Sequence, residues 1–163
     1  METTLQTSID QGIHLFYVAV RQAGYFTAAQ AKEAGYSYPN QSYHRKQGHW
    51  LDQGWGIFRL RDYPWSEHEP YVRLYLWSRT RTGGPRAVVS HDTALALHEL
   101  SEVMPAKVHL SVPQGFRKVP PEGVVLYKLQ LAAGDSKPRH GFRVTPPSGP
   151  CSTSRLRRRA RNT

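Results

Sequence analysis

Residues 28–48, AAQAKEAGYSYPNQSYHRKQG, constrain this chain more than any other stretch. They divide into two short helices around Gly35. Thr27 stands where an N-cap is needed for Ala28–Ala34, and Gly35 ends that helix. Ser37 or Tyr38 caps the next one. Pro39 is tolerated in its first turn because that N–H has no helical partner, and the helix runs to about Gln47 before Gly48 stops it. Upstream, IHLFYVAVRQAG repeats apolar residues at Ile13, Phe16, Tyr17 and Val20, the spacing of a helix with one packed face, and it stops at Gly24. Downstream, WLDQGWGIFRL is two aromatic or β-branched runs around DQGWG, a hairpin with glycines where positive φ is needed.

Three helices and a hairpin within residues 12–62 follow the order of a winged helix-turn-helix, which predicts that the third helix enters a DNA groove. The residue types suit that task. Asn40 and Gln41 can bond adenine bidentately, Arg45 and Lys46 guanine or phosphate, and Tyr38 and Tyr43 a phosphate oxygen, with His44 beside them. In the wing, Gln53, Trp55 and Arg59 are placed to touch backbone or minor groove, and Thr27 to set helix amides against a phosphate. The plain alternative is a solvated polar face, since winged helices also serve as protein-interaction modules.

Charge bears on that choice. The net charge is +10, which suits a polyanionic partner. Residues 1–62 carry 6 basic and 5 acidic side chains, residues 63–147 carry 11 and 7, and residues 148–163 carry 5 and 0. Half of the excess thus lies in the last sixteen residues, and the first segment is nearly neutral. A homodimer on DNA, doubling the phosphate contacts, answers that objection.

Beyond the hairpin, YPWSEHEP reads as a linker and YVRLYLWSRT as a connecting helix, making 63–84 a joint between two parts. Tyr71, Leu74, Tyr75 and Trp77 mark its packing side. RAVVS then reads as a strand, HDTALALHEL as a helix capped by Ser90 with Asp92 in its first turn, and KVHLSVP, GVVLYKLQL and GFRVT as three further strands. The expected class is α+β: an N-terminal winged helix-turn-helix at 12–62, then a small α/β domain over 85–147, truncated at its C-terminal end.

Two stretches of this chain resemble a known family. GYFTAAQAKEAGYS with GWGIFRL looks like the N-terminal winged helix of the AbiEi family, the antitoxins of type IV toxin–antitoxin systems. PRAVVSHDTALALHELSEVMPAKVHLSVP resembles the start of that family's second domain and is the more specific of the two. The resemblance spans about residues 12–147. It implies an antitoxin that represses transcription from its own operon promoter, and that counteracts a nucleotidyltransferase-like toxin without a stable complex being required. NQSYHRKQG is poorer in arginine than the family's usual recognition helix, which bears on the operator sequence.

Where relatives continue from the GFRVT strand into an apolar helix of the type LRTLLDV, this chain has PPSGPCSTSRLRRRARNT. The codons TCC-GGA-CCC-TGC-TCG-ACG-TCG encode Ser148 to Ser154; preceded by one C and read a frame over, the same bases give LRTLLDV. The tail 148–163 is therefore read as out of frame after about Pro147. The competing reading is a basic disordered arm that attracts phosphates without sequence preference.

Enzyme chemistry finds little footing. Cys151 is the single cysteine, which excludes an internal disulfide framework and a cysteine-based zinc site. His91, Asp92, His98, Glu99 and His109 invite a metal, yet no established ligand spacing is present, and a distant alternative is a metal-dependent enzyme using His91, Asp92 and His98. Ser90, His91 and Asp92, being consecutive, are expected to cap a helix and not to form a catalytic relay. Glu67, Glu69 and Asp135 fall in expected loops. No phosphate-binding or nucleophile-elbow motif occurs, so no catalytic residue, metal or cofactor is assigned. No apolar run nears the roughly 20 residues that cross a bilayer, and METTLQTSID lacks an export signal, so the expectation is a cytoplasmic chain with no membrane partner.

Overall fold

Gly24 decides how the first sheet begins. The computed structural model describes residues 2–82 and 84–147. Helix α1 (Glu2–Val20) ends in a turn whose last residue, Gly24, has φ +87°, and a Cβ there would lie 2.5 Å from the Tyr63 ring. Only glycine fits both demands. The chain leaves this turn as strand β1 (Tyr25–Thr27), then forms α2 (Ala28–Glu33), α3 (Tyr38–Lys46), β2 (Trp50–Asp52) and β3 (Ile57–Leu60). The strands make an antiparallel sheet in the order β1-β3-β2, with Phe26 opposite Phe58 and Trp50 opposite Leu60. The β2–β3 hairpin falls where the glycine pattern predicts it. Strand β1, only three residues long, carries no alternation for periodicity to detect.

This sheet and the three helices enclose Leu15, Ala19, Phe26, Ala31, Trp50 and Phe58. Phe26 meets the edge of Trp50 at 4.9 Å and is fully buried, so truncating it to alanine would cost about 3–5 kcal/mol. Helix α4 (Glu69–Trp77) packs against β1 and β3, so this helix belongs to the first compact unit, which ends at Trp77. Its Tyr71, Leu74 and Trp77 are buried, and Tyr75 is half-buried. Glu69 is its first residue and is buried, not a loop carboxylate as the sequence suggests. It accepts hydrogen bonds from Tyr25 Oη (3.0 Å), Arg59 Nη2 (2.8 Å) and Arg59 Nε (3.2 Å).

Helix α1 departs from expectation twice. It starts eleven residues before Ile13, where its apolar pattern begins, and it buries Leu15 and Ala19, not the stripe Ile13, Phe16, Tyr17 and Val20, which is exposed. Ala19 has no exposed surface and lets the helix approach β1 closely, and that contact sets its roll.

The second unit begins at Ser78, whose Oγ accepts from the N–H groups of Arg86 and Ala87. Its elements are β4 (Val88–Val89), α5 (His91–Leu97), β5 (Val108–Val112), β6 (Val124–Lys128), a short 3-10 turn (Ala133–Asp135), β7 (Lys137–Arg139) and β8 (Phe142–Val144). The sheet order is β6-β5-β4-β8-β7, with β5–β6 and β4–β8 parallel and the other two pairs antiparallel. Val89, Leu110, Val112, Phe142 and Val144 form its interior. Strand β7, reading Lys-Pro-Arg, is an edge strand, the place where a proline lacking an N–H is tolerated. Both units together make a mixed α+β protein of two sheets and, among the described residues, five α-helices. The arginine-rich tail, with its two readings, lies outside the described residues.

Candidate nucleic-acid interface

Helix α3 hangs on a four-residue turn. Thr27 Oγ1 accepts from Gln30 N–H while Gln30 Oε1 accepts from Thr27 N–H, a reciprocal capping box that starts α2. The turn 34–37 contains Gly35 at φ +100°, and α3 follows with Ser37 at its N-cap and Pro39 in the first turn. The Ser37 hydroxyl makes no capping bond.

What faces inward from α3 is polar. Gln41 is buried, and its amide nitrogen, Nε2, donates to Ala28 O (3.1 Å) and Tyr36 O (3.0 Å). It thereby closes the turn between the two helices and has no donors left for an adenine, which corrects its expected role. One turn on, His44 stacks on Trp50 at 4.8 Å with 15° between the planes, and its Nδ1 shares a proton with His49 Nδ1 at 3.1 Å. Burial, and then the neighbouring His49, push the His44 pKa below its ordinary value. His44 thus spends its ring on Trp50 and His49, on the packed side of α3. Gln41, His44 and Gly48 stand at i, i+3 and i+7, so the inward stripe had a helical signature that its polar composition hid.

Thr27 is likewise corrected. It is buried, its hydroxyl and N–H serve the capping box, and the next amide, Ala28 N–H, donates to Gly56 O at 2.9 Å. The Thr27, Ala28 and Gln30 amides are thus already bonded within the fold. Arg59 is also withdrawn, because its guanidinium is spent on Glu69, Leu60 O and Tyr63 O. Trp55, at the tip of the hairpin with φ +53°, stands beside Trp77 (6.2 Å) and under the Arg73 guanidinium (5.1 Å), an arrangement that turns it toward α4. Gln53 is half-buried and its N–H donates to Ile57 O within the hairpin.

The outward face of α3 carries Tyr38, Asn40, Tyr43, Arg45, Lys46 and Gln47, all exposed. Lys32 Nζ stands 5.1 Å over the Tyr38 ring. Arg45 Nη2 contacts Asp52 Oδ2 at 2.7 Å, tying the helix to β2 through a half-exposed ion pair. Such pairs contribute about 0–1 kcal/mol, so a phosphate can displace Asp52 at small cost. Asn40, Tyr43 and Gln47 fall at i, i+3 and i+7 and form one stripe, with Lys46 on its flank.

The second unit holds a different cluster. Ser90 occupies the N-cap position of α5, yet its hydroxyl caps nothing. Ser90 Oγ lies 2.7 Å from His91 Nδ1 and accepts from Ser111 Oγ at 2.8 Å. The consecutive pair Ser90–His91 hydrogen-bonds, and His91, at φ +55°, folds its ring back over Tyr127 at 3.8 Å. Asp92 stays exposed and outside the chain. Ser90 and Ser111 are both buried. His98 Nε2 bonds Thr145 O, and His109 Nδ1 bonds Tyr127 Oη. Among the described residues, no three His, Cys, Asp or Glu side chains are grouped to hold a metal ion, and no helix is long and apolar enough to cross a membrane.

Neither protein-family models nor curated proteins yield a match to this chain.

Proposed function

We propose that the first unit is a winged helix-turn-helix that binds double-stranded DNA at the promoter of its own operon and represses transcription. The observation that carries this reading is the division of α3. Gln41 and His44 fasten one side to the fold, while Asn40, Tyr43, Lys46 and Gln47 stand outward on a helix that follows a four-residue turn and precedes a β-hairpin. That order and that exposed chemistry suit a helix laid in the major groove. The antitoxin role, directed against a nucleotidyltransferase-like toxin with no stable complex required, rests on the resemblance of residues 12–147 to the AbiEi family. It assigns no catalytic step and places the protein in the cytoplasm.

A second reading, a protein-interaction module that counteracts a partner toxin without touching DNA, draws on the near-neutral first 62 residues and on Asp52 neutralising Arg45. A fluorescence-anisotropy titration separates the two. Upstream DNA and a scrambled duplex of equal length are compared at two salt concentrations, on the whole chain and on a chain ending at Pro147. DNA reading predicts that the upstream preference survives loss of the tail, that Asn40→Ala changes sequence preference, and that Lys46→Ala weakens all duplexes and reduces the salt slope by about 1. Binding that ignores sequence and disappears with the tail overturns it.

A further inference from the structure

Leu5, Ile9, Ile13, Phe16 and Val20 run along α1 at intervals of four, four, three and four residues, with Tyr17 on the flank. Each is between 41% and 66% exposed. At an average step of 3.75 residues, close to the 3.6-residue helical turn, the stripe stays on one face of the helix, and no Lys, Arg, Asp or Glu interrupts it. We propose that this stripe pairs with the same stripe of a second copy of the chain, as an antiparallel, two-fold helix pair centred near Ile13.

Three observations select a second copy as the occupant. Residues 2–10 of α1 are all exposed, so no buried side chain anchors this half of the helix, and a helix that buries no face is marginal in water. A partner helix supplies the missing contact. The area also suits a dimer. Six side chains exposed to this degree present about 600–700 Å² per copy, more than the largest apolar patch of an ordinary monomer, and about 1,300 Å² in a symmetric pair, within the range of specific interfaces. Charge then sets the direction. Glu2 and Asp10 lie toward the N-terminal end of α1, and Arg21 follows its last turn. An antiparallel pair sets Leu5 against Val20 and brings Glu2 of each copy to the Arg21 end of the other, whereas a parallel pair stacks like charges. The contact is isologous and closes at two copies.

This interface deepens the DNA reading, because two copies present two α3 helices to a palindromic site, yet it stands or falls separately. The test is sedimentation velocity on the full chain from about 1 to 100 μM, with circular dichroism of every variant to verify helix content. A monomer–dimer equilibrium in that range is expected. Ile9→Glu and Ile13→Glu, both exposed substitutions, should raise the dissociation constant at least about tenfold. Glu2→Arg should weaken the dimer, and Glu2→Arg with Arg21→Glu should restore it. A wild-type chain that remains monomeric at 100 μM overturns the proposal, as does a dimer indifferent to Ile13→Glu. A charge swap that fails to rescue overturns the antiparallel geometry. A dimer that persists while upstream DNA is bound no better than scrambled DNA refutes the DNA reading alone.

Discussion

Glu69 offers the sharpest test of the first unit's energetics. Its carboxylate joins three elements: Tyr25 of β1 and Arg59 of β3 donate to it, and it begins α4. Ser66 N–H donates as well, at 3.3 Å. The side chains of Arg59 and Glu69 are only 12% and 10% exposed, so the pair is desolvated and solvent does little to screen it. Removing one partner of such a pair strands the other charge and costs about 3–5 kcal/mol, against a typical total stability of 5–15 kcal/mol. Glu69→Ala and Arg59→Ala should each cause a loss of that size. The double variant should lose less than the sum by about 1–3 kcal/mol, because no unpaired ion remains. Trp50, Trp55, Trp65 and Trp77 are the only tryptophans and all lie in the first unit, so urea unfolding followed by tryptophan fluorescence reports on this unit alone. Acid supplies an independent check. Burial raises the Glu69 pKa, but hydrogen bonds from Arg59 and Tyr25 outweigh it and hold the carboxyl below its ordinary value of 4.5. The unfolded chain therefore takes up the proton first, and stability contributed above pH 4.5 is lost as the pH falls through the lower folded value. Glu69→Gln should flatten that limb. Additive single-variant losses below about 1 kcal/mol each would refute the claim that this pair anchors α4.

Other expectations follow from single sites. Gln41→Ala removes the amide that bonds Ala28 O at the start of α2 and Tyr36 O in the α2–α3 turn, and should lower stability by about 1–3 kcal/mol in the same fluorescence assay, while upstream-DNA preference per folded molecule stays unchanged. Gly24→Ala meets both the Tyr63 ring and a φ of +87°, so it should destabilise the unit by more than the roughly 1 kcal/mol of an ordinary left-handed substitution. His44 and His91 both have pKa values held below 6.5, in each case first by burial and then by a neighbouring histidine. Their neutral forms stabilise the fold, so stability should fall as the pH drops from 6.5 toward their folded values, and replacing His44 with Phe should remove the first unit's share of that slope. At the alkaline end, burial and then Glu69 push the Tyr25 phenol up to about 12. Unfolding should therefore become easier between pH 10 and 12, and Tyr25→Phe should reduce that limb, the remainder coming from Tyr36 and Tyr71, whose phenols burial also pushes up.

Local chemistry was legible before any coordinates. Gly24, Gly35 and Gly48 mark where α1, α2 and α3 stop, because a chain reversal needs a left-handed residue and glycine takes that conformation without penalty. Thr27 announces the start of α2, and the apolar runs of β5, β6 and β8 announce strands, since capping and alternation act over a few neighbouring residues. Nothing local could say which face of α1 is buried. That depends on Ala19 meeting β1, and it turned Ile13, Phe16 and Val20 outward when their spacing alone suggested a core. The same limit explains Gln41 and Thr27. Both have the residue type of a DNA contact, and both lose that role to backbone partners up to 13 residues away. Glu69 read as a loop carboxylate until Tyr25, 44 positions earlier, was placed beside it. Sequence determined where this chain turns and which stretches form helices and strands, because those choices are settled between neighbours. Tertiary structure decided which polar groups are spent inside and which remain outward, because a donor is free only when no distant acceptor has been folded against it.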